Sequence, residues 1–283
     1  MRQIHIDEII EKVKALSIDI NTNLGEDVDD ALKKSQEVEE SPTGKQTLSY
    51  LLENIRIARE ESVPICQDTG LAVIFVEIGQ DVHIFGGDLK DAINEGVRQG
   101  YREGFLRKSV LDDPILRKNT GDNTPAVIHI DIVPGDKLKI KMAAKGGGSE
   151  NSSAMRMMKP SDGVKGIKEF VLDTARRAWA NPCPPIIVGI GIGGNFEMAP
   201  TMAKKALFRH LGDHNPAPHL ADLEMEILEE VNGLGIGPEG FGGSVTALAV
   251  HIEAAPCHIA SLPVAVNIDC HVSRHREVML YML

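Results

Sequence analysis

Sulfur, aromatic rings and positive charge are all scarce in this sequence, and each scarcity closes off a class of function. Four cysteines in 283 residues, at 66, 183, 257 and 270, are too few and too dispersed for a disulfide scaffold. No close C-x2-C pair is present to suggest an ordinary structural zinc site. Aromatic residues make up only 4% of the chain while glycine reaches 27 residues, a balance that suits an α/β protein with many tight backbone approaches. A formal charge of -11 argues against a nucleic-acid surface, and no polybasic patch points to a membrane. No apolar run reaches transmembrane length and no basic n-region leads into an apolar h-region, so a cytoplasmic setting is expected.

The hydrophobic residues that are there, 42% of the chain, suffice for one large or two modest cores. Ile9, Ile10, Val13 and Leu16 recur at helical spacing, Val28, Leu32 and Val38 less regularly. After a break at 41–44, Leu51, Ile55 and Ala58 share a face. The fold class expected is α/β, a helical N-terminal layer over 1–60 followed by mixed β-sheet regions flanked by helices over 61–283. That second part forms one domain or two closely packed subdomains. Strands are expected at 71–78, 126–133, 138–143, 186–192, 245–254 and 262–268, with helices at 89–101, 167–179, 198–210 and 220–231. The Pro134-Gly135-Asp136 turn predicts that 126–133 and 138–143 pair as a hairpin.

The stretch V-P-I-C-Q-D-T-G-L (63–71) sets Cys66, Gln67, Asp68 and Thr69 side by side, with Gly70 as a bend. A thiol, an amide, a carboxylate and a hydroxyl in one turn suit metal, acid/base or hydrogen-bonding chemistry, and equally a buried cysteine beside a polar turn. Cys183, between Pro182 and Pro184, and Cys270, in D-C-H, also sit at turns at strand ends. Spacing alone leaves a metal, a nucleophile and inert packing all open. Arg102, Arg107 and Lys108 form a basic cluster that reads as an anion site or a solvated surface. Lys145-Gly146-Gly147-Gly148 can present backbone N–H groups to an anion, but fits neither the Walker A nor the dinucleotide fingerprint. Gly193-Gly194, at the end of the G-I-G-I-G-G run, imply close packing against a bound group or a neighbouring strand.

Six motifs in order resemble the alpha subunit, or N-terminal domain, of the iron–sulfur class I fumarase and L-tartrate dehydratase family. They are C-Q-D-T-G (66–70), K-G-G-G-S-E-N (145–151), K-P-S-D-G (159–163), N-P-C-P-P with V-G-I-G-I-G-G (181–194), L-G-I-G-P-E-G-F-G-G (234–243) and H-I-A-S-L-P-V-A-V (258–266). The resemblance implies a [4Fe-4S] cluster held by Cys66, Cys183 and Cys270, with one iron left open as a Lewis acid, and leaves Cys257 as a small buried side chain. It implies reversible hydration of fumarate to L-malate. Asp68 and His258 would be the catalytic groups. Gln67, Lys145, the Arg107 clamp and the backbone of Gly146, Gly147 and Gly148 would bind substrate. Asn195, His271 and Arg274 are weaker candidates. Ser149, where the tartrate branch tends to carry cysteine, and the N-I-D-C-H context look more like the fumarase branch; L-tartrate dehydratase is the alternative, and a cluster-less scaffold subunit a further one. No stretch of these residues resembles the family's second part, so the expectation is half a site here, completed by a beta subunit in an assembly of two alpha with two beta. An alpha homodimer is a further expectation.

Overall fold

The computed structural model describes residues 2–280. In chain order the first elements are β1 (Arg2–His5), α1 (Ile6–Thr22), α2 (Glu26–Val38), α3 (Pro42–Glu61), β2 (Leu71–Gly79), β3 (Val82–Phe85) and α4 (Leu89–Glu103). Then come β4 (Val127–Val133), β5 (Leu138–Lys145), α5 (Gly147–Asn151), β6 (Ala154–Met158), α6 (Gly163–Ala178) and β7 (Ile186–Gly193). The chain continues with α7 (Met198–Ala206), α8 (Pro218–Asn232), β8 (Ala247–Ala255), β9 (Leu262–Asp269) and β10 (His275–Leu280). The fold is a helical N-terminal segment followed by mixed β-sheets flanked by helices. Among the described residues no helix is long and apolar enough to cross a membrane.

Two compact units emerge, and the chain passes between them more than once. Among the described residues the first comprises 2–25, Ile55–Gly146 and 274–280; the second comprises Glu26–Asn54 and Gly147–Ser273.

The first unit is built on a four-stranded sheet in the order β10-β5-β2-β4. α1 and α4 bury Ile9, Val13, Leu16, Ile93 and Val97 with Ile74, Val76, Ile140 and Met142 of the sheet. The hairpin expected between 126–133 and 138–143 does not form, because β2 lies between them. It pairs in parallel with β4 from Val73↔Val127 and antiparallel with β5 from Leu71↔Lys145. β2 is buried continuously from Ala72 to Val76, as a central strand must be, whereas β4 is mostly exposed and fits an edge. The Pro134–Lys137 connection instead closes over the end of β2, where Gly79 N–H donates to the Lys137 carbonyl and Asp81 N–H to the Gly135 carbonyl. A second correction is small: β1 pairs with β3, so the first helix starts at Ile6.

The second unit carries the sheet β6-β9-β7-β8. Side chains alternate across β7, so Ile186, Val188 and Ile190 meet α6 and α8 through Phe170, Val171, Ile227 and Val231. The opposite face of β7 shows Gly189 and Gly191 to α7. A Cβ there would lie 2.1 Å from the Ala203 carbonyl oxygen and 2.0 Å from that of Ala199. Gly193 packs equally closely on Ala255 of β8. The glycine-rich run is thus explained by helix and strand packing. Glu39, 1% exposed, binds this unit together by accepting from the N–H groups of Ser41, Ser244 and Val245.

Candidate active site

In the first unit the Cys66–Gly70 turn is built from below. Gly70 has φ +77°, and a Cβ on it would lie 2.6 Å from the Ala144 carbonyl carbon, so only glycine fits where the turn enters β2. The Tyr101 hydroxyl, fully buried on α4, donates to the Thr69 carbonyl at 2.7 Å and the Gly70 carbonyl at 3.1 Å. Burial pushes the Tyr101 hydroxyl up to about 12, so it remains a donor at any physiological pH. Asn123, also fully buried, donates through Nδ2 to the Gly70 carbonyl at 3.2 Å. Arg274 Nη1 donates to the Asp68 carbonyl. Within the turn, Gly70 N–H donates to Asp68 Oδ1 at 3.0 Å and Asp68 N–H to Cys66 Sγ at 3.4 Å.

This scaffold leaves Gln67 exposed and Asp68 partly exposed. Arg107 is brought alongside, because the Thr69 hydroxyl donates to the Arg107 carbonyl at 2.8 Å, and its side chain is exposed. Lys145 stands opposite Leu71 at the end of β5 next to the turn, 4% exposed, its Nζ 3.5 Å from the Gly146 carbonyl. One unit therefore gathers an amide, a carboxylate, a guanidinium-bearing segment and a buried ammonium about one turn. Asn21, Tyr101 and Asn123, which hold that arrangement, carry no signal in the sequence: a helix interior and a loop asparagine look the same wherever they occur.

The remaining sequence-predicted residues lie in the second unit, apart from Gly146, which closes the first. Cys183 is exposed, with φ +54°, and its N–H donates to the Ala180 carbonyl at 3.0 Å. His271 reaches it: His271 N–H donates to the Cys183 carbonyl at 3.3 Å, and Nδ1 lies 3.0 Å from the same oxygen and 3.2 Å from Glu239 Oε1. Register explains the meeting, since Ile187 pairs with Asp269, which places the segments carrying Cys183 and Cys270 at the same end of the paired strands β7 and β9. His258 is at the opposite end, in the exposed 256–260 segment between β8 and β9, with Nδ1 accepting from Ala260 N–H at 3.1 Å. The eight residues of β9 separate it from Cys270 by about 23 Å along the strand. Cys257 shares that connection and is exposed, not buried as expected, with Sγ 3.4 Å from the Ser261 carbonyl. Gly147 and Gly148 open the five-residue α5. Asn195 caps the start of α7, its Oδ1 accepting from Met198 N–H at 2.9 Å.

The expected [4Fe-4S] cluster does not fit this arrangement. Among the described residues no three His, Cys, Asp or Glu side chains are grouped so as to hold a metal ion. Cys66 Sγ accepts from Asp68 N–H at 3.4 Å, and Cys270 Sγ lies 3.5 Å from the Val272 carbonyl. The expected cofactor is corrected on the absence of such a group among the described residues.

A sequence model described as Fumerase, fumarate hydratase, matches residues 10–279. The chain belongs to this family. Within the family, the chain is 45% identical over 257 residues to a Methanocaldococcus jannaschii protein described as "Putative L(+)-tartrate dehydratase subunit alpha", covering 89% of this chain and 90% of that one. It is 33% identical over 284 residues to the L(+)-tartrate dehydratase subunit alpha of Escherichia coli, covering 99% of this chain and 93% of that one. Its likeness to the L(+)-tartrate dehydratase subunit alpha of Shigella sonnei is 32% over the same span. These likenesses overturn the expected fumarase branch and with it fumarate hydration as the activity. The residue that favoured that branch, Ser149, is 3% exposed and donates to Asp269 Oδ1 at 3.3 Å. Its hydroxyl is packed inside the second unit.

Proposed function

We propose that this chain is the alpha subunit of a hydro-lyase that removes water from L(+)-tartrate. The observation that carries the reading is its similarity, over nearly the whole length, to alpha subunits so described. The turn in the first unit supports it chemically. Dehydration takes a proton from one carbinol carbon and hydroxide from the next, leaving an enol that becomes a 2-oxo dicarboxylate. Asp68 is the assigned base, since its side chain is partly exposed and its backbone N–H and carbonyl are both hydrogen-bonded. Arg107 grips a substrate carboxylate through its planar fork, and Lys145 adds positive charge beside the turn. Gln67, both donor and acceptor, serves the second hydroxyl that distinguishes tartrate from malate; a site that hydrogen-bonds such a hydroxyl rejects the analogue lacking it.

A beta-type subunit completes the enzyme in this reading, two alpha with two beta, in the cytoplasm. The test is to co-express the chain with that subunit and assay L-tartrate, L-malate and fumarate side by side. The reading expects kcat/KM for L-tartrate to exceed that for L-malate by about 100-fold or more. Equal turnover of the two, or preference for malate, would overturn it.

A further inference from the structure

Arg274 stands where the chain returns to the first unit, immediately before β10, and is 2% exposed. Its Nη1 donates to the Asp68 carbonyl and, at 3.2 Å, to Asn21 Oδ1. Its Nε–H is buried and meets no acceptor. Its own carbonyl accepts from Ala144 N–H at 2.9 Å, at the residue on which Gly70 packs. A buried guanidinium is costly to desolvate, and leaving one donor unpaired adds to the cost. A glutamine amide has two donors for the same two acceptors and no charge to bury. The fold alone gives no reason for arginine here.

The turn does. Three successive carbonyls, of Asp68, Thr69 and Gly70, are each held by a buried donor: Arg274, Tyr101, and Tyr101 with Asn123. Fixing those oxygens fixes the peptide planes that follow Asp68, and so constrains the direction in which the Asp68 side chain leaves the backbone. The hold on the Asp68 carbonyl is the charged one, and charge-assisted hydrogen bonds are about twice as strong as neutral ones.

We propose that Arg274 is a positioning residue for the reaction at the Cys66–Gly70 turn, setting the Asp68 carbonyl and thereby the aim of the Asp68 side chain. This rests on the assignment of that side chain to tartrate. Two measurements separate the proposal from that assignment. The first is amide hydrogen exchange of the full chain without substrate, in wild type, R274M and R274K. R274M should speed exchange over 66–70 about tenfold while β7 exchanges as in wild type. The second is turnover of L-tartrate by the assembled enzyme. There R274M should lower kcat about 100-fold with KM within about threefold, because the Arg107 grip persists while the base is misaimed. R274K, with a charged donor in the same place, should recover about tenfold of that loss. Wild-type exchange over 66–70 in R274M would overturn the proposal. So would exchange rising equally in β7, a rise in KM with kcat kept, or no recovery in R274K. If R274M does not fold, N21A removes the other acceptor of the guanidinium and should speed exchange over 66–70 about threefold; no change would overturn the proposal. Wild-type enzyme inactive on L-tartrate would sink the functional reading and leave the exchange result standing.

Discussion

His251, on β8, is 2% exposed, with Nδ1 3.3 Å from the Ala206 carbonyl. Burial, reinforced by the nearby Arg209 charge, lowers its pKa from 6.5 to about 4. Between those values the unfolded chain binds a proton that the folded chain refuses, so stability falls as pH drops through this window. Urea unfolding should show the protein on the order of 2 kcal/mol less stable at pH 5 than at pH 7 on account of this one group. H251Q, neutral throughout, should lose that component of the pH slope; an unchanged slope would mean that His251 is not the origin. Around it, Arg209 Nη1 donates to Glu224 Oε1 at 2.6 Å, and Glu224 Oε1 also accepts from Ile252 N–H at 2.6 Å. Charges that deep are tolerated because each is paired and hydrogen-bonded.

At the scale of elements, β7 and α7 test the packing account. Gly191→Ala would drive a methyl into the Ala199 carbonyl, which is backbone and cannot swing aside. The second unit should lose about 1–3 kcal/mol in chemical denaturation, and a neutral substitution would show that α7 moves freely on the sheet. Helices and strands were largely legible in the sequence because their apolar spacing is local: α4, α6, α8, β2 and β7 fall within a few residues of expectation. Pairing was not. The proline–glycine turn after β4 has the chemistry of a hairpin, and nothing local reveals that β2, half a unit earlier in the chain, claims the place between the two strands. The candidate site divides in the same way. Cys66–Gly70 announces itself by its side chains, whereas Tyr101, Asn123 and Asn21 earn their roles only through contacts made across the fold. Cys257 was misjudged because a small thiol is usually interior, yet here it rides an exposed connection.

For the molecule as a whole, the chain's path through two units places the turn, Arg107 and Lys145 in the first and the Cys183–His271 meeting in the second. Family membership, and similarity to alpha subunits of tartrate dehydratases, give that arrangement its chemical direction. In the proposed function a protein of charge -11 takes a negative substrate, so its cations are needed where that substrate sits, and Arg107 and Lys145 are proposed for that role. In the proposed reaction the carboxylate of Asp68 moves the proton. Turnover of L-tartrate by the assembled enzyme carrying Asp68→Asn tests this, with thermal unfolding followed in parallel. A fall in kcat of about 1,000-fold is expected, with KM within a few-fold and an unchanged unfolding midpoint. Wild-type kcat in that variant would contradict it.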